Sequence, residues 1–315
     1  MLARQAVVSR TRLNRTLENR TSDTQMLQVQ RSCQTTTTIA VPTSQSFKCQ
    51  SHNMTELDST VTKASIRQKI WKYLEENDIA CFPRPVYHRI PNFKGANQAG
   101  LKVHTLEEFR KARVIKVNPD KPQEEVRFLA LEAHKTLLVP TPRLRSGLFN
   151  KINPPAGCNK KVLHLCATSQ GVKQHSTPVS LDTKLKVDLI VIGSVAVSRA
   201  GHRIGKGEGY ADLEYAMMST IGAVDQDVIV VTTVHDCQVF DELPQQLFGD
   251  HDVTVDVIVT PTQIIRCEPR LSKPTKVNWA LLSKEKLSEI PVLKTLRGKE
   301  QKDGKDVALK HAEKD

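Results

Sequence analysis

Three short runs of apolar, mostly β-branched residues constrain the fold of this chain most strongly. The runs are VDLIVIG at 187–193, DVIVVTTV at 227–234 and VDVIVTP at 255–261. An almost unbroken apolar run of this length is typical of a strand buried on both faces of a parallel sheet. Between the first two runs, apolar residues recur at helical spacing from Leu213 to Ile221. This alternation predicts an α/β domain, with an open, mostly parallel sheet and helices on both faces in a Rossmann-like three-layer arrangement.

Composition divides the chain into three parts. Residues 1–61 are rich in Ser, Thr, Gln and Arg and lack sustained apolar periodicity, so we predict that they are disordered. The folded domain is predicted to cover residues 62–282 and to begin with a helix capped by Thr62. Within it, RFLALEAHKTLLVP at 127–140 predicts a hairpin or paired strands, and Arg143 and Arg145, which alternate, are expected on one strand face. From residue 283 onward Lys, Glu and Asp are dense, and no core pattern continues after Leu296. We therefore predict a charged C-terminal tail over residues 283–315.

The charge balance favours anionic partners. The chain has 46 Lys and Arg against 34 Asp and Glu, which gives a formal net charge of +12. Nucleotides, polyglutamylated cofactors and RNA are all compatible with this charge. Aromatic residues make up only 4% of the chain, and no aromatic strand typical of an RNA recognition domain stands out. No apolar run reaches the roughly 18 residues of a spanning helix, so we expect no membrane partner.

The cysteines and the leader bear on localisation. Seven cysteines are odd in number and widely scattered, which fits neither a zinc site nor a disulfide framework. A reducing compartment follows, and we expect a cytoplasmic protein. The Arg-rich leader leaves a mitochondrial transit peptide open as an alternative to a plain flexible extension.

The segment GHRIGKGEGYADLEYAMM at 201–218 is the strongest candidate for a binding site. Gly205, Gly207 and Gly209 alternate with other residues beside Arg203 and Lys206, after a predicted strand and before a predicted helix. Glycine exposes backbone amides, and amides at a helix N-terminus beside cations attract phosphate groups. An ordinary structural turn is the alternative interpretation, because the spacing matches neither a Walker sequence nor a Rossmann fingerprint.

Several stretches resemble the 5-formyltetrahydrofolate cyclo-ligase family. GHRIGKGEGYAD is similar to the family signature that binds the phosphates of magnesium ATP. The downstream stretches HDCQVFDELP and DHDVTVDVIVTP, and the upstream stretches KASIR and VPTPRLR, also match the family pattern. The resemblance covers roughly residues 62–265.

The resemblance implies an ATP-dependent cyclisation of 5-formyltetrahydrofolate to 5,10-methenyltetrahydrofolate, with ATP and Mg²⁺ as cofactors and a reduced folate as substrate. It implies that Gly205, Gly207 and Gly209 cradle phosphates, with Lys63 and Arg67 approaching the nucleotide from the first helix. It further implies catalytic roles for Arg203, Lys206 and Tyr210 and a metal-binding role for Asp212. Positioning and charge neutralisation dominate phosphoryl transfer, so such cations and a metal ligand are the expected groups.

Each of these roles has an alternative from the residues alone. Asp212 is also a suitable helix N-cap, and Lys63 and Arg67 are also consistent with ordinary solvated charges on one helix face. The chain departs from the family at Ala211, where a second tyrosine is usual, and at Glu208, a carboxylate within the glycine run. At residues 121–124 it has KPQE where the family has a folate-binding glutamate. Either an active enzyme or a degenerate nucleotide-binding protein is therefore consistent with the sequence.

RNA binding is the alternative function. Relatives on one branch of the family carry a C-terminal RNA recognition domain, and the resemblance extends this possibility to the present chain. Without such a domain, we expect RNA to bind the basic surface around HRIPNFKG at 88–95 and the tail. The sequence does not indicate an oligomeric state.

Overall fold

The structure is a computed structural model and describes residues 61–310. The predicted disordered leader, with its transit-peptide alternative, lies outside the described residues except for its last position. The last five residues of the predicted tail also lie outside them.

The described residues form α-helices, β-strands and short 3₁₀ helices in an alternating order. The α-helices are α1 Lys63–Glu76, α2 Ala96–Thr105, α3 Glu107–Lys111, α4 Glu124–Glu132, α5 Lys160–Ala167, α6 Ser169–Gln174, α7 Tyr210–Thr220, α8 Lys284–Glu289 and α9 Pro291–Lys302. The strands are β1 Val114–Val117, β2 Thr136–Pro140, β3 Phe149–Ile152, β4 Ser176–Val179, β5 Leu189–Ile192, β6 Ala196–Ser198, β7 Arg203–Ile204, β8 Ile229–Thr233, β9 Val239–Phe240, β10 Val257–Val259 and β11 Ile264–Arg266. The 3₁₀ helices are Lys121–Gln123, Pro142–Leu144, Asp236–Gln238, Gln245–Leu247 and Trp279–Leu281.

An eight-stranded sheet in the order β11-β10-β8-β5-β1-β2-β3-β4 forms the centre of the fold. Its five central strands, β10, β8, β5, β1 and β2, pair in parallel, and the outer pairs are antiparallel. The three apolar runs identified in the sequence are β5, β8 and β10. The prediction of an open, mostly parallel α/β sheet is confirmed.

Both faces of the sheet are covered, as the continuous apolar runs predicted. Successive side chains of a strand point to opposite faces, and β5 illustrates the result. Ile190 and Ile192 pack with α7 and α9 in one core cluster, whereas Leu189 and Val191 pack with α2 and α4 in another. A strand that meets helices on both sides exposes neither face to water, which explains why the sequence of β5 is wholly apolar.

The first helix begins where the sequence placed it. Thr62 caps α1, and Ser65 completes a capping box through 3.0 Å hydrogen bonds in both directions. Ile66, Trp71 and Leu74 are among the buried residues of α1 and belong to a third core cluster, together with residues of a small three-stranded sheet, β7-β6-β9. This arrangement fixes α1 against the segment that carries the glycine run.

The stretch RFLALEAHKTLLVP at 127–140 differs from its sequence interpretation. The sequence predicted a hairpin or paired strands, but its first part belongs to α4 and only β2 is a strand. Pro122 lies in the turn that leads into α4, and Glu124 and Glu125 occupy the first helical turn, where acidic side chains interact favourably with the helix dipole.

The C-terminal segment also differs from its sequence interpretation. We predicted a charged tail from residue 283, whereas the structure has α8 and α9 there. Ile290 and Leu293 are fully buried, and Leu296 is 3% exposed within the cluster that contains α7. The folded unit therefore continues beyond residue 282. Within residues 61–310, no helix combines the length and the apolar character that crossing a membrane requires.

Candidate functional site

A cavity of about 720 Å³ opens at the carboxyl ends of the central strands. Asn118 and Asp120 line it after β1, and Thr141 and Arg143 line it after β2. Strand β1 lies between β2, which follows it in the chain, and β5, which comes later, so the strand order reverses here. Ligands of open α/β sheets bind at such a switch point.

Every site residue predicted from the sequence lines this one cavity. These residues are Lys63, Arg67, Arg203, Gly205, Lys206, Gly207, Gly209, Tyr210 and Asp212. They come from α1, from β7 and the loop after it, and from the start of α7. The structure therefore brings the predicted residues together, while the role of each residue stays a prediction.

The glycine loop, residues 205–209, presents its backbone amides without acceptors. Gly207 and Gly209 have φ angles of +100° and +71°, a region that favours glycine. Within the described part of the chain, no amide from residue 205 to residue 212 donates a hydrogen bond. The amides of the loop and of the first turn of α7 are thus available to an anion.

Arg203 is a buried positioning residue beneath this loop. Its side chain is 3% exposed, and its Nε and Nη2 donate to the Gly193 carbonyl at 3.1 and 2.8 Å. Its Nη1 lies 3.3 Å from Asp212 Oδ1. A Cβ at Gly205 would lie 2.8 Å from Arg203 Nη2, so only glycine lets the loop pass this closely over the guanidinium.

Asp212 is not the N-cap of α7. Gly209 occupies the cap position in a left-handed conformation, and Asp212 lies in the first turn. Its Oδ1 accepts hydrogen bonds from the Val253 amide at 3.1 Å and from Arg203 at 3.3 Å.

The side chains at the cavity fit Mg²⁺ only if phosphate oxygens of a bound ligand supply part of its coordination. Among residues 61–310, no group of three or more His, Cys, Asp or Glu side chains is arranged to hold a metal ion. Mg²⁺ usually needs one or two protein carboxylates and takes its other ligands from phosphate oxygens and water. Asp212, whose side chain is 23% exposed at the cavity, is compatible with that requirement.

The two cations of α1 that line the cavity, Lys63 and Arg67, make specific contacts rather than extending into solvent. Lys63 Nζ lies 2.6 Å from Asp252 Oδ1 and 4.8 Å from the centre of the Phe248 ring. Arg67 Nε donates to the Gly205 carbonyl at 2.8 Å. Burial lowers the pKa of Arg67, while attraction to Asp212 raises it. These contacts do not fit the alternative interpretation, in which Lys63 and Arg67 are ordinary solvated charges.

Lys206 and Glu208 are the exposed charges of the glycine loop. Neither side chain forms a hydrogen bond or an ion pair with another residue in the described region. Both line the cavity, so Lys206 is available to an anion and Glu208 is available to a cation. Tyr210, which follows the loop, lies beneath Lys286, whose Nζ is 4.3 Å from the ring centre.

The sequence did not identify a cluster of charges at the floor of the cavity. Lys116 on β1 is 1% exposed, and its Nζ lies 2.7 Å from Glu214 Oε2 on α7 and 2.6 Å from Asn118 Oδ1. Burial raises the pKa of Glu214, and attraction to Lys116 opposes this effect. One sequence signal was present, because a lysine within the apolar run VIKV is unusual for a strand buried on both faces.

Asp120 is the other carboxylate that sequence reasoning missed. A Cβ at Gly193 would lie 2.9 Å from Asp120 Oδ2, so this carboxylate packs directly against the end of β5. Desolvation raises its pKa, although Lys206, Arg127 and Arg203 attract the charged form.

The glutamine that replaces the expected folate-binding glutamate faces the protein interior. Gln123 is fully buried, and its Nε2 donates to Thr233 Oγ1 at 2.8 Å. It does not line the cavity, whereas Asp120, three residues earlier, does. This segment therefore places a carboxylate at the cavity through Asp120 and not through residue 123.

Comparison with known proteins gives consistent matches. The model of the 5-formyltetrahydrofolate cyclo-ligase family matches residues 59–261. The methenyltetrahydrofolate synthase domain-containing protein of Mus musculus is 60% identical over 255 residues, which are 81% of this chain and 68% of that protein. The Homo sapiens protein of the same name is 55% identical over 249 residues, which are 79% of this chain and 65% of that protein. The chain thus spans about two thirds of the length of these relatives.

Among solved structures, the chain is similar to Aquifex aeolicus 5,10-methenyltetrahydrofolate synthetase. The sequences are 21% identical, the match covers 67% of this chain and 95% of that one, and the TM-score is 0.42.

Proposed function

Because the chain belongs to the 5-formyltetrahydrofolate cyclo-ligase family, we propose that its cavity binds magnesium ATP and a reduced folate. The reaction is the conversion of 5-formyltetrahydrofolate to 5,10-methenyltetrahydrofolate. The observation that carries this proposal is the run of backbone amides at residues 205–212, which have no acceptor in the described structure and face the same cavity as Arg203, Lys206 and Arg67.

The glycine loop suits the phosphates of the nucleotide. A triphosphate needs several converging donors and nearby positive charge, and the amides and cations supply both. Asp212 is the residue that would hold Mg²⁺, which when bound would neutralise phosphate charge. Arg203 keeps Asp212 oriented through its 3.3 Å contact and so acts as a positioning residue.

The reaction needs little acid–base chemistry from the protein. The formyl oxygen attacks the terminal phosphorus and ADP leaves; a second folate nitrogen then attacks the activated carbon and phosphate leaves. The attacking nitrogen loses a proton, and Asp120 is a suitable acceptor because its carboxylate lies at the cavity and its pKa is raised by desolvation. Lys206 neutralises negative charge as it develops on the transferring phosphoryl group.

Two measurements on the full chain test this function. The protein is mixed with magnesium ATP and 5-formyltetrahydrofolate, and methenyl absorbance is followed, while nucleotide-dependent stabilisation is measured by thermal unfolding. We expect turnover by the wild type and strong loss in Lys206→Met. Lys69→Met, which removes an exposed cation on α1 that does not line the cavity, should behave like the wild type.

The two readouts separate the possible outcomes. A rise in melting temperature without turnover would indicate a nucleotide-binding protein that has lost catalysis. The absence of both turnover and a nucleotide-dependent rise in melting temperature would reject the proposal altogether. RNA binding and a cytoplasmic location stay predictions from the sequence.

A further inference from the structure

Part of the cavity wall comes from outside the region that matches the family. The match ends at residue 261, but a later segment, here called the C-terminal wall (residues 276–286), also lines the cavity. Its lining residues are Lys276, Val277, Asn278, Leu281, Leu282 and Lys286. The cavity that contains the glycine loop is therefore completed by chain that the family pattern does not describe.

The C-terminal wall is anchored to the core along its length. The Val277 amide donates to Thr220 Oγ1, at the end of α7, at 3.0 Å. Trp279 is buried, and its Nε1 donates to Glu300 Oε2 on α9 at 2.9 Å. Ser283 caps α8, the short helix that carries Lys286. These contacts hold the wall in a defined position beside α7.

Lys286 places a positive charge beside the glycine loop. Its ammonium lies 4.3 Å from the centre of the Tyr210 ring, a cation–π distance, and the Tyr210 amide is one of those without an acceptor. The nearest carboxylate is that of Glu289, whose Oε2 is 3.8 Å away and whose side chain is 57% exposed. Such an exposed pair neutralises Lys286 only weakly, so its charge remains available to a bound anion.

The same wall presents apolar surface next to this charge. Leu281 is 51% exposed although it lines a cavity, and Leu282 and Val277 lie on either side of it in sequence. Both charged residues that the wall contributes to the lining, Lys276 and Lys286, are cations. An apolar surface beside cations is complementary to a planar base that carries phosphates, and it offers no carboxylate to the N–H groups of a pterin.

We propose that the C-terminal wall is the second wall of the nucleotide site, in which Lys286 contacts the polyphosphate and Leu281 packs against the heterocyclic base. This inference rests on the nucleotide binding of the proposed function. It extends the site beyond the glycine loop to a segment that the family match does not include.

Calorimetric titrations of the full chain of 315 residues test the inference with two probes, magnesium ATP and inorganic tripolyphosphate. We expect Lys286→Met to weaken binding of both probes about fivefold to tenfold, because one charge-assisted contact to phosphate is lost. Leu281→Ser should weaken ATP about fivefold and leave tripolyphosphate unchanged, because it removes only apolar contact. Lys284→Met, two residues away on the same helix and outside the cavity lining, is the matched control.

The outcomes separate this inference from the proposed function. If the wild type binds ATP and both Lys286→Met and Leu281→Ser bind it equally well, the inference is overturned and the proposed function stands. If the wild type binds neither probe, both are overturned. Recovery of tripolyphosphate affinity in Lys286→Arg, with unchanged melting temperatures throughout, would show that charge rather than fold is responsible.

Discussion

Arg203 links three parts of the candidate site: the end of β5, the glycine loop and α7. Its guanidinium holds the carbonyl of Gly193 at the end of β5 and contacts Asp212 on α7 while Gly205 passes over it. A lysine presents only a compact ammonium and cannot reproduce this planar set of donors. The residue predicted as catalytic is thus also a buried scaffold for the metal-binding candidate, because the position of Asp212 depends on it.

Gly205→Ala tests the close passage of the loop over Arg203. The new methyl group would meet the guanidinium at 2.8 Å and disturb its hydrogen bonds, so we expect the free energy of unfolding to fall by about 1–3 kcal/mol. Affinity for magnesium ATP should fall as well. Gly298→Ala is the control, because a Cβ there meets nothing within 4 Å and lies in α9. That change should stabilise the protein by about 0.5–1 kcal/mol in urea denaturation. Equal effects of the two substitutions would contradict the steric argument.

Asp120→Asn tests the desolvated carboxylate. Because the folded-state pKa is raised, the contribution of Asp120 is fully present below its unfolded pKa of about 3.9 and is lost as pH rises through the folded pKa. The asparagine variant should therefore melt at a higher temperature than the wild type at pH 7, and this difference should shrink toward pH 4. Lys206, Arg127, Arg203 and Lys116 oppose the effect, and desolvation outweighs them.

The matched control for this pH series is Asp250→Asn, the same substitution at an exposed position outside the helices and strands. Subtracting its melting temperatures from those of Asp120→Asn isolates the effect of the desolvated carboxylate. A stability difference for Asp120→Asn that is constant from pH 4 to pH 8 would contradict a raised pKa. Loss of turnover in the same variant would support the role of Asp120 as proton acceptor.

At the scale of elements, a buried ion pair joins β1 to α7 beneath the cavity. Lys116→Met should lower the free energy of unfolding by about 3–5 kcal/mol, because it leaves Glu214 buried without its partner. The double variant Lys116→Met/Glu214→Leu should recover most of that loss, since apolar residues of similar volume often replace a buried pair without cost. Urea denaturation of both single variants and the double variant gives the coupling between the residues. Additive effects would show that the two side chains do not depend on each other.

The elements differ in how far the sequence predicted them, for physical reasons. Strands β5, β8 and β10 were predictable because burial on both faces leaves an unbroken apolar run. Helix α4 was not, because every residue from Val126 to Leu131 is buried and no polar face reveals the helical period. Arg143 and Arg145, which the sequence placed on one strand face, lie at a 3₁₀ turn instead, because β2 ends at Pro140.

The residues alone predicted the site only within one continuous segment, and Lys63 and Arg67 on α1 were identified through the family resemblance. The glycine loop is contiguous, so the sequence identified it together with Arg203 and Asp212. Lys116 and Glu214 are almost a hundred positions apart, and only the packing of α7 against the sheet that contains β1 brings them to 2.7 Å. No local spacing encodes such a contact. A single charged residue in a buried strand is the signal that sequence analysis can use.

At the scale of the whole molecule, the chain beyond the family match is integral to the folded unit. Asp256 is 3% exposed, and its Oδ1 lies 2.7 Å from both Arg270 Nε and Lys273 Nζ, which lie after β11. Its Oδ2 accepts the Val230 amide of β8 at 2.7 Å. The segment that follows the last strand is therefore tied to the centre of the sheet before it reaches the cavity.

Leu293→Ala tests whether α9 belongs to the core. Leu293 is fully buried in the cluster that also contains α7, so we expect a loss of about 2–5 kcal/mol in the free energy of unfolding. Lys294→Ala, at the adjacent exposed position, should stay within about 0.5 kcal/mol of the wild type. Urea denaturation monitored by tryptophan fluorescence is a suitable measurement, because one of the two tryptophans, Trp279, contacts Glu300 on α9. If Leu293→Ala also proved neutral, α9 would be a peripheral tail, and the C-terminal wall would lose the anchor that positions Lys286 over Tyr210.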